Sequence, residues 1–112
     1  MTNYEFGDVL LIPFPFTDQT TSKKRPAVVV SSDDYHRHRD DLVLIAVTSQ
    51  SRTSKSFEEM VVLEWKKAGL LKPSVVKPVL ATVEKSLVLR TLGRLAEQDR
   101  KNLRMFLQKI LG

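Results

Sequence analysis

KKRPAVVVSSDDYHRHRDDLVLIAVTSQ, residues 23–50, is the stretch that decides the fold of this chain. It holds two apolar runs, 27–30 and 42–47, and continuous apolar runs of this length are typical of strands buried on both faces. Three cations (23–25, KKR) precede the first run, and three polar residues (48–50, TSQ) follow the second. If the two strands lie close in one sheet, the cations and the hydroxyls meet at one edge of it.

Apolar runs outside this stretch predict a small, mostly β domain. Further strands are expected at 9–12, 57–63, 74–76 and 79–83. Pro78 separates the last two, and Pro26 stands at the start of its strand, because proline cannot donate to a strand ladder. The charged residues 33–41 and the segment 64–68, which ends at Gly69, each have room for a helical turn.

The last segment, 96–111, has the pattern of a longer helix. Its apolar residues recur at i, i+3, i+4, i+7 and i+8 and form one stripe: Leu103, Phe106, Leu107, Ile110 and Leu111. Such a stripe is able to dock a partner, but more often it covers the sheet of its own domain. The expected fold class is therefore α+β, mostly β and closed by a C-terminal helix.

Length and composition limit the classes of function. The chain has 112 residues, which fits a single domain over 1–112. Its 42% hydrophobic and 28% charged residues are typical of a folded protein. It has no cysteine, which excludes disulfides, thiolate catalysis and cysteine-bound zinc. The net charge of +5 favours a polyanionic partner, either nucleic acid or an acidic protein.

The N-terminal sequence gives an indication of the cellular location of the protein. MTNYEFGDVLLIPFPF, residues 1–16, has no basic leader, and prolines interrupt its apolar run. No stretch approaches the roughly 20 apolar residues that a membrane helix needs. We therefore expect a cytoplasmic protein with no membrane partner.

Arg25 and Thr48 are the candidate reactive pair. A guanidinium is always charged and binds two phosphate oxygens at once, so Arg25 would stabilise charge that develops on a phosphodiester. Thr48 would hydrogen-bond the same phosphate or orient an attacking hydroxyl, since an unactivated hydroxyl is a poor base. The alternative is that Arg25 belongs to a solvated basic turn and that Thr48 only ends a strand. Spacing alone leaves both interpretations open.

Two further groups of residues have a functional and a structural interpretation. His36 and His38 lie among four aspartates, and these residue types bind zinc or harder metals. A solvated connector whose charges cancel has the same composition, and we favour that interpretation. Phe16 and Tyr35 lie near cations and are able to stack on unpaired bases, with core packing as the alternative. No Walker, GxGxxG or GxSxG motif is present.

Five segments occur in an order that resembles one protein family. They are GDVLLIPFPFTD, KKRPAVVVSSD, DLVLIAVTSQ, AGLLKPSVVKP and TVEKSLVLRTLGRL, and together they span nearly the whole chain. The chain is similar to the PemK/MazF toxins of type II toxin–antitoxin systems, and most to their PemK-like branch. The resemblance implies a small SH3-like β-barrel that forms a homodimer and is inhibited by a cognate antitoxin.

The same resemblance implies an endoribonuclease that needs no metal and no cofactor. Its substrate would be single-stranded RNA, usually mRNA, cut at short sequences. The 2′-hydroxyl attacks the neighbouring phosphate and leaves a 2′,3′-cyclic phosphate and a 5′-hydroxyl. The family's catalytic arginine and threonine correspond to Arg25 and Thr48. Positions at or beside those expected to contact RNA carry Phe16, Thr17, Lys24, Ser49, Gln50, Arg52, Ser74 and Lys77.

The chain also departs from the family pattern. Many MazF-like members have a glutamine and an arginine where this chain has Val79 and Ala81, so its RNA target does not follow from the family. The alternative function is that of the CcdB-type toxins, which share the fold and poison DNA gyrase through their C-terminal residues. This chain ends in KILG, without an aromatic or charged tail, and the basic turn with Thr48 favours RNA cleavage.

Overall fold

A computed structural model of the protein describes residues 3–13, 24–49 and 59–112. These residues form one antiparallel sheet, two α-helices and one short 3₁₀ turn (Lys85–Leu87). The strands are β1 (Asp8–Pro13), β2 (Lys24–Val29), β3 (Asp41–Ser49), β4 (Met60–Val61), β5 (Ser74–Glu84) and β6 (Arg90–Arg94). The helices are α1 (Asp33–His38) and α2 (Glu97–Leu111).

The strands lie in the order β4-β5-β3-β2-β1-β6, and every described pairing is antiparallel. The expectation of a mostly β domain closed by a C-terminal helix is confirmed. β2 begins at Lys24, two residues before Pro26, which lies opposite Leu11 of β1. Its ladder to β3 starts only at Ala27, so the proline interrupts no described pairing on that side. Within the described residues, no helix is long and apolar enough to span a membrane.

Side chains alternate between two faces of the sheet, and both faces are covered. The helix face carries Val9, Val28, Ile45, Val47 and Val76, which pack with Leu103 and Phe106 of α2. The opposite side, called here the distal face, carries Leu10, Ile12, Ala27, Val29, Leu42, Leu44 and Ala46. The two central apolar runs are thus buried on both faces, as their uninterrupted apolar sequence predicts.

Helix α2 covers the helix face with the predicted stripe, except at its end. Leu103 and Phe106 are buried, and Leu107 and Ile110 pack against the same core. Leu111, in contrast, is 65% exposed, so its place in the stripe is wrong. Eight residues turn a helix by about 80° beyond two full turns, which puts Leu111 round the side from Leu103.

β5 corrects the prediction of two short strands separated by Pro78. It is one strand of 11 residues, because β3 pairs with it on both sides of the proline. Val47 pairs with Val76 and Ile45 with Leu80, so residues 77–79 face the single residue Ala46. The sequence predicts the break in the ladder at this position but not the continuation of the strand across a bulge.

The segment after β4 forms a tight turn over residues 63–69 instead of the expected short helix. The amides of Gly69 and Leu70 donate to the carbonyls of Lys66 and Trp65, each at 3.1 Å, which is the pattern that ends a helix. Gly69 has a φ of +83°, so the stop signal is confirmed although the helix before it is not. Of the strand predicted at 57–63, the described residues contain Met60–Val61.

This turn joins the two ends of the sheet. Gly69 lies so close to the carbonyl of Leu92 in β6 that a Cβ on Gly69 would clash with it, and a Cβ on Gly93 would lie 2.6 Å from the carbonyl of Ala68. The buried carboxylate of Asp99, in the first turn of α2, accepts from the amides of Leu63 and Glu64, each at 2.9 Å. The turn is therefore fixed to β6 on one side and to α2 on the other.

Replacing Asp99 with Ala should destabilise the fold, because two amides in a partly buried region lose their acceptor. Each unsatisfied donor costs about 1–3 kcal/mol, so the loss of both acceptors should lower the free energy of unfolding by about 2–6 kcal/mol in urea denaturation. The matched control is Glu97→Ala, which removes an exposed carboxylate from the same helical turn and should cost less than about 1 kcal/mol. Equal losses in the two variants would show that Asp99 acts only through the helix dipole.

Candidate functional site

Arg25 and Thr48 lie at the same level of the sheet. Arg25 is paired with Ile12 of β1, and Thr48 with Val75 of β5. The described ladder between β2 and β3 ends at Ala27, which faces Ala46. Continuing its register by two residues brings Arg25 opposite Thr48. Residues opposite each other in an antiparallel pair point to the same face, so both side chains belong to the distal face.

The environment of Arg25 suits an anion from outside the chain. Its side chain is partly buried, and within the described residues it has no carboxylate at ion-pair distance. The next residues toward the core on this face are Ala27 and Ala46, whose side chains are small. Since no described carboxylate engages it, the Arg25 guanidinium is suited to donate to phosphate oxygens.

Lys77 also belongs to the distal face, and it lies next to Glu59, which the sequence analysis did not identify as a site residue. Met60 pairs with Val76, so the register of β4 and β5 continues to Glu59 opposite Lys77. The Lys77 ammonium lies 3.7 Å from Oε2 of Glu59. The side chain of Lys77 is 45% exposed and that of Glu59 only 9%. No signal in the sequence distinguishes Glu59 from its acidic neighbour at position 58.

The remaining predicted contacts that the structure describes point the other way. Lys24, Ser49 and Ser74 alternate with the distal-face residues and so belong to the helix face. Ser74 is 5% exposed, and its hydroxyl donates to the carbonyl of Lys72 at 2.7 Å. This hydrogen bond shapes the start of β5, and the assignment of Ser74 as an RNA contact stays a prediction. Four more predicted contacts lie outside the described residues: Phe16, Thr17, Gln50 and Arg52.

His36 in α1 has a structural partner on each ring nitrogen. Nδ1 lies 2.8 Å from the carbonyl of Tyr4, and because a carbonyl only accepts, Nδ1 carries the proton. Nε2 lies 2.6 Å from the hydroxyl oxygen of Ser31, and that oxygen accepts from the amide of Val43. The described residues contain no cluster of three or more metal-ligating side chains. His36 thus ties the N-terminal segment to β3.

A cluster of hydrogen bonds within the charged residues 33–41 engages Tyr35. Both oxygens of Asp41 accept from the guanidinium of Arg39, at 3.0 and 2.9 Å, and Oδ1 also accepts from the Tyr35 hydroxyl at 2.7 Å. The hydrogen bonds from Arg39 and then Tyr35 lower the pKa of Asp41 to about 2. The hydrogen bond that each makes to Asp41 in turn raises the pKa of Tyr35 and of Arg39. Tyr35 is therefore engaged in this cluster.

Comparisons with known proteins agree on one family and one fold. The sequence model of the PemK-like, MazF-like toxins of type II toxin–antitoxin systems matches residues 5–111. No curated protein matches the chain. Among solved structures, the chain is similar to an endoribonuclease in complex with its cognate antitoxin from a mycobacterial species, at 18% identity and a TM-score of 0.76, covering 100% of this chain and 96% of that one.

Two structures from Deinococcus radiodurans show the same fold. MazF aligns at 18% identity with a TM-score of 0.76, covering 100% of this chain and 99% of that one. MazF in its complex with MazE aligns at 19% identity with a TM-score of 0.73, covering 99% and 98%. The sheet with its C-terminal helix is therefore the MazF-like fold.

The Asp41 cluster should give part of the acid sensitivity of the fold. The pKa of Asp41 is lower in the folded chain than the ordinary 3.8, so its contribution to stability is present above about pH 4 and is lost as the pH falls towards about 2. Asp41→Asn should remove this part of the acid limb in urea midpoints measured from pH 6 to pH 2. Identical slopes for the wild type and Asp41→Asn would contradict the assignment.

Proposed function

We propose that this chain, which belongs to the family of PemK-like, MazF-like toxins of type II toxin–antitoxin systems, is an endoribonuclease that cleaves single-stranded RNA. The observation that carries the proposal is the register that aligns Arg25 with Thr48 on the distal face, where Arg25 is partly buried and has no ion-pair partner among the described residues. A guanidinium and a hydroxyl in this arrangement suit a phosphodiester better than a neutral substrate.

The proposed reaction is attack of a ribose 2′-oxygen on the adjacent phosphorus. A bond forms from the 2′-oxygen to phosphorus, and the bond from phosphorus to the 5′-oxygen breaks. One proton leaves the 2′-hydroxyl and one is taken up by the 5′-oxygen, which gives a 2′,3′-cyclic phosphate and a 5′-hydroxyl. Arg25 donates to the two non-bridging oxygens as their charge grows, and Thr48 donates to the same phosphate or holds the attacking hydroxyl.

Further contacts would hold the RNA strand in place. Lys24 is exposed at the start of β2 and would attract the RNA backbone, an effect that weakens as the salt concentration rises. Phe16, Thr17, Gln50 and Arg52 are proposed contacts on the two segments that adjoin the ends of β1, β2 and β3. In single strands the bases and the 2′-hydroxyl are accessible to such groups.

The proposed partners follow from the family. A cognate antitoxin would lay a disordered, acidic segment on the basic surface and so keep RNA out. A structural neighbour from a mycobacterial species is an endoribonuclease bound to its cognate antitoxin. We further propose a homodimer that acts in the cytoplasm, where mRNA is present, and a reaction that proceeds without a metal ion.

Incubation of the purified protein with a long mRNA in EDTA tests this function. We expect cleavage at a small set of sequences, with products that carry a cyclic phosphate and a 5′-hydroxyl. The end chemistry is measured by enzymatic labelling, since a 5′-hydroxyl accepts a phosphate from a kinase without prior dephosphorylation. Intact RNA together with inhibition of DNA supercoiling by gyrase would instead support the CcdB-type alternative.

Arg25→Ala should lower the cleavage rate by about 100–1,000-fold, the usual loss for one donor that stabilises transition-state charge. Thr48→Ala should have an effect in the same direction. Arg90→Ala is the matched control, because Arg90 is an exposed strand residue opposite Leu11, on the other face from Arg25. Equal losses for Arg25→Ala and Arg90→Ala would mean that the general positive charge, and not Arg25, supports cleavage.

A further inference from the structure

We propose that Lys77 is the catalytic residue that donates a proton to the leaving 5′-oxygen. The inference rests on the proposed function and adds a step to it. In the proposed reaction Arg25 and Thr48 act on the phosphate and the attacking hydroxyl, and the leaving oxygen still needs a proton. Proton transfer to a leaving group during bond cleavage accelerates the reaction, and lysine is among the side chains that perform it.

Lys77 lies beside the reactive pair on the distal face. Val75 is directly opposite Thr48, and Lys77 is two residues further along β5, which makes it the diagonal neighbour of Thr48. Diagonal neighbours across an antiparallel pair are about 7–8 Å apart, a separation that long side chains span. A phosphate bound between Arg25 and Thr48 is therefore within reach of the Lys77 ammonium.

Small side chains lie between Lys77 and the reactive pair. Residues 77–79 of β5 face Ala46 alone, and Ala46 lies opposite Ala27 of β2. Both alanines belong to the distal face, and their side chains end at Cβ. At this level of β2 and β3, no bulky side chain separates Lys77 from a phosphate on Arg25 and Thr48.

The ammonium of Lys77 keeps its donors available. Its side chain is 45% exposed, and it lies 3.7 Å from Oε2 of Glu59, which is longer than a hydrogen bond. Among the described residues, no group accepts a hydrogen bond from it. An ammonium has three N–H donors on a flexible stem of four carbons. The buried carboxylate of Glu59 serves here only as a neighbouring negative charge, so this role requires no free acceptor on it.

The chemistry of the two reacting oxygens places Lys77 on the leaving side. The attacking and leaving oxygens lie roughly in line, on opposite sides of phosphorus. The attacking 2′-hydroxyl loses a proton and so needs an acceptor, whereas an ammonium only donates. The leaving 5′-oxygen gains an electron pair and needs a donor. A cation on one side of the phosphate therefore suits the 5′-oxygen.

The step balances in protons and electrons. As the bond from phosphorus to the 5′-oxygen breaks, its electron pair stays on that oxygen, which takes a proton from Nζ of Lys77. The proton of the 2′-hydroxyl passes to water. The neutral amine of Lys77 regains a proton from water, because the side chain is in contact with solvent.

The test compares two short RNAs that span a cut site mapped on the mRNA and differ in one leaving atom. One carries the ordinary 5′-oxygen at the cleaved bond, and the other carries sulfur there, which leaves as a thiolate and needs no proton. Single-turnover rates are measured for both. We expect Lys77→Met to slow the oxygen substrate by about 100-fold or more, as for other general acids, and to leave the sulfur substrate nearly unchanged.

Two further variants separate proton transfer from charge and from folding. Lys77→Arg keeps the positive charge, but a guanidinium does not give up its proton, so it should slow the oxygen substrate as Lys77→Met does. Lys101→Met is the matched control, because Lys101 is an exposed lysine 3.8 Å from Glu97 on α2, and it should cut both substrates at the wild-type rate. A loss of folded protein would lower both rates equally and leave their ratio unchanged.

Failure of this inference is distinguishable from failure of the proposed function. Equal losses on the two substrates in Lys77→Met, no loss on either, or a wild-type rate in Lys77→Arg would overturn the proton donor, while the endoribonuclease stands. A wild type that cuts neither the mRNA nor the short RNAs overturns the endoribonuclease and the role of Lys77 with it.

Discussion

The buried carboxylate of Asp99 is the interaction on which the rest of the structure depends. It holds the amides of Leu63 and Glu64, and through them the turn that follows β4, against the first turn of α2. The same turn meets β6 at Gly69 and Gly93, where only glycine leaves room for the backbones to approach. One side chain and two glycines thus close a six-stranded sheet around its core and fix the helix that covers it.

Once the sheet is closed, the alternation of side chains decides which polar residues act together. Arg25, Thr48 and Lys77 belong to the distal face, whereas Lys24, Ser49 and Ser74 alternate onto the helix face. A shift of one residue in any of these strands would move its whole set to the other side. Such a shift would separate the buried side chains of each face from the neighbours that they pack against. Core packing therefore fixes the register of the candidate site.

Much of this arrangement could be predicted from the sequence, for identifiable reasons. The runs 27–30 and 42–47 and the stripe of α2 are periodic signals, and tertiary packing agrees with them. The continuous β5 was missed because Pro78 signals a break, although a bulge accommodates it. Glu59 was missed because its burial and its pairing with Lys77 depend on strand register. Asp99 likewise has no local signal, since its partners lie 35 and 36 residues away.

The charges of the described residues distinguish Arg25 from the other cations named here. Many cations are balanced within the chain, among them Arg37 by Asp34, Arg39 by Asp41 and Arg94 by Glu5. Arg25 is different, because it is partly buried and the described residues give it no such partner. Removing a guanidinium from water without compensation is unfavourable, so a site of this kind is stabilised when an anion arrives. In the proposed reaction an RNA phosphate would be that anion, and the stabilisation would be greatest for a phosphate whose charge grows during the reaction.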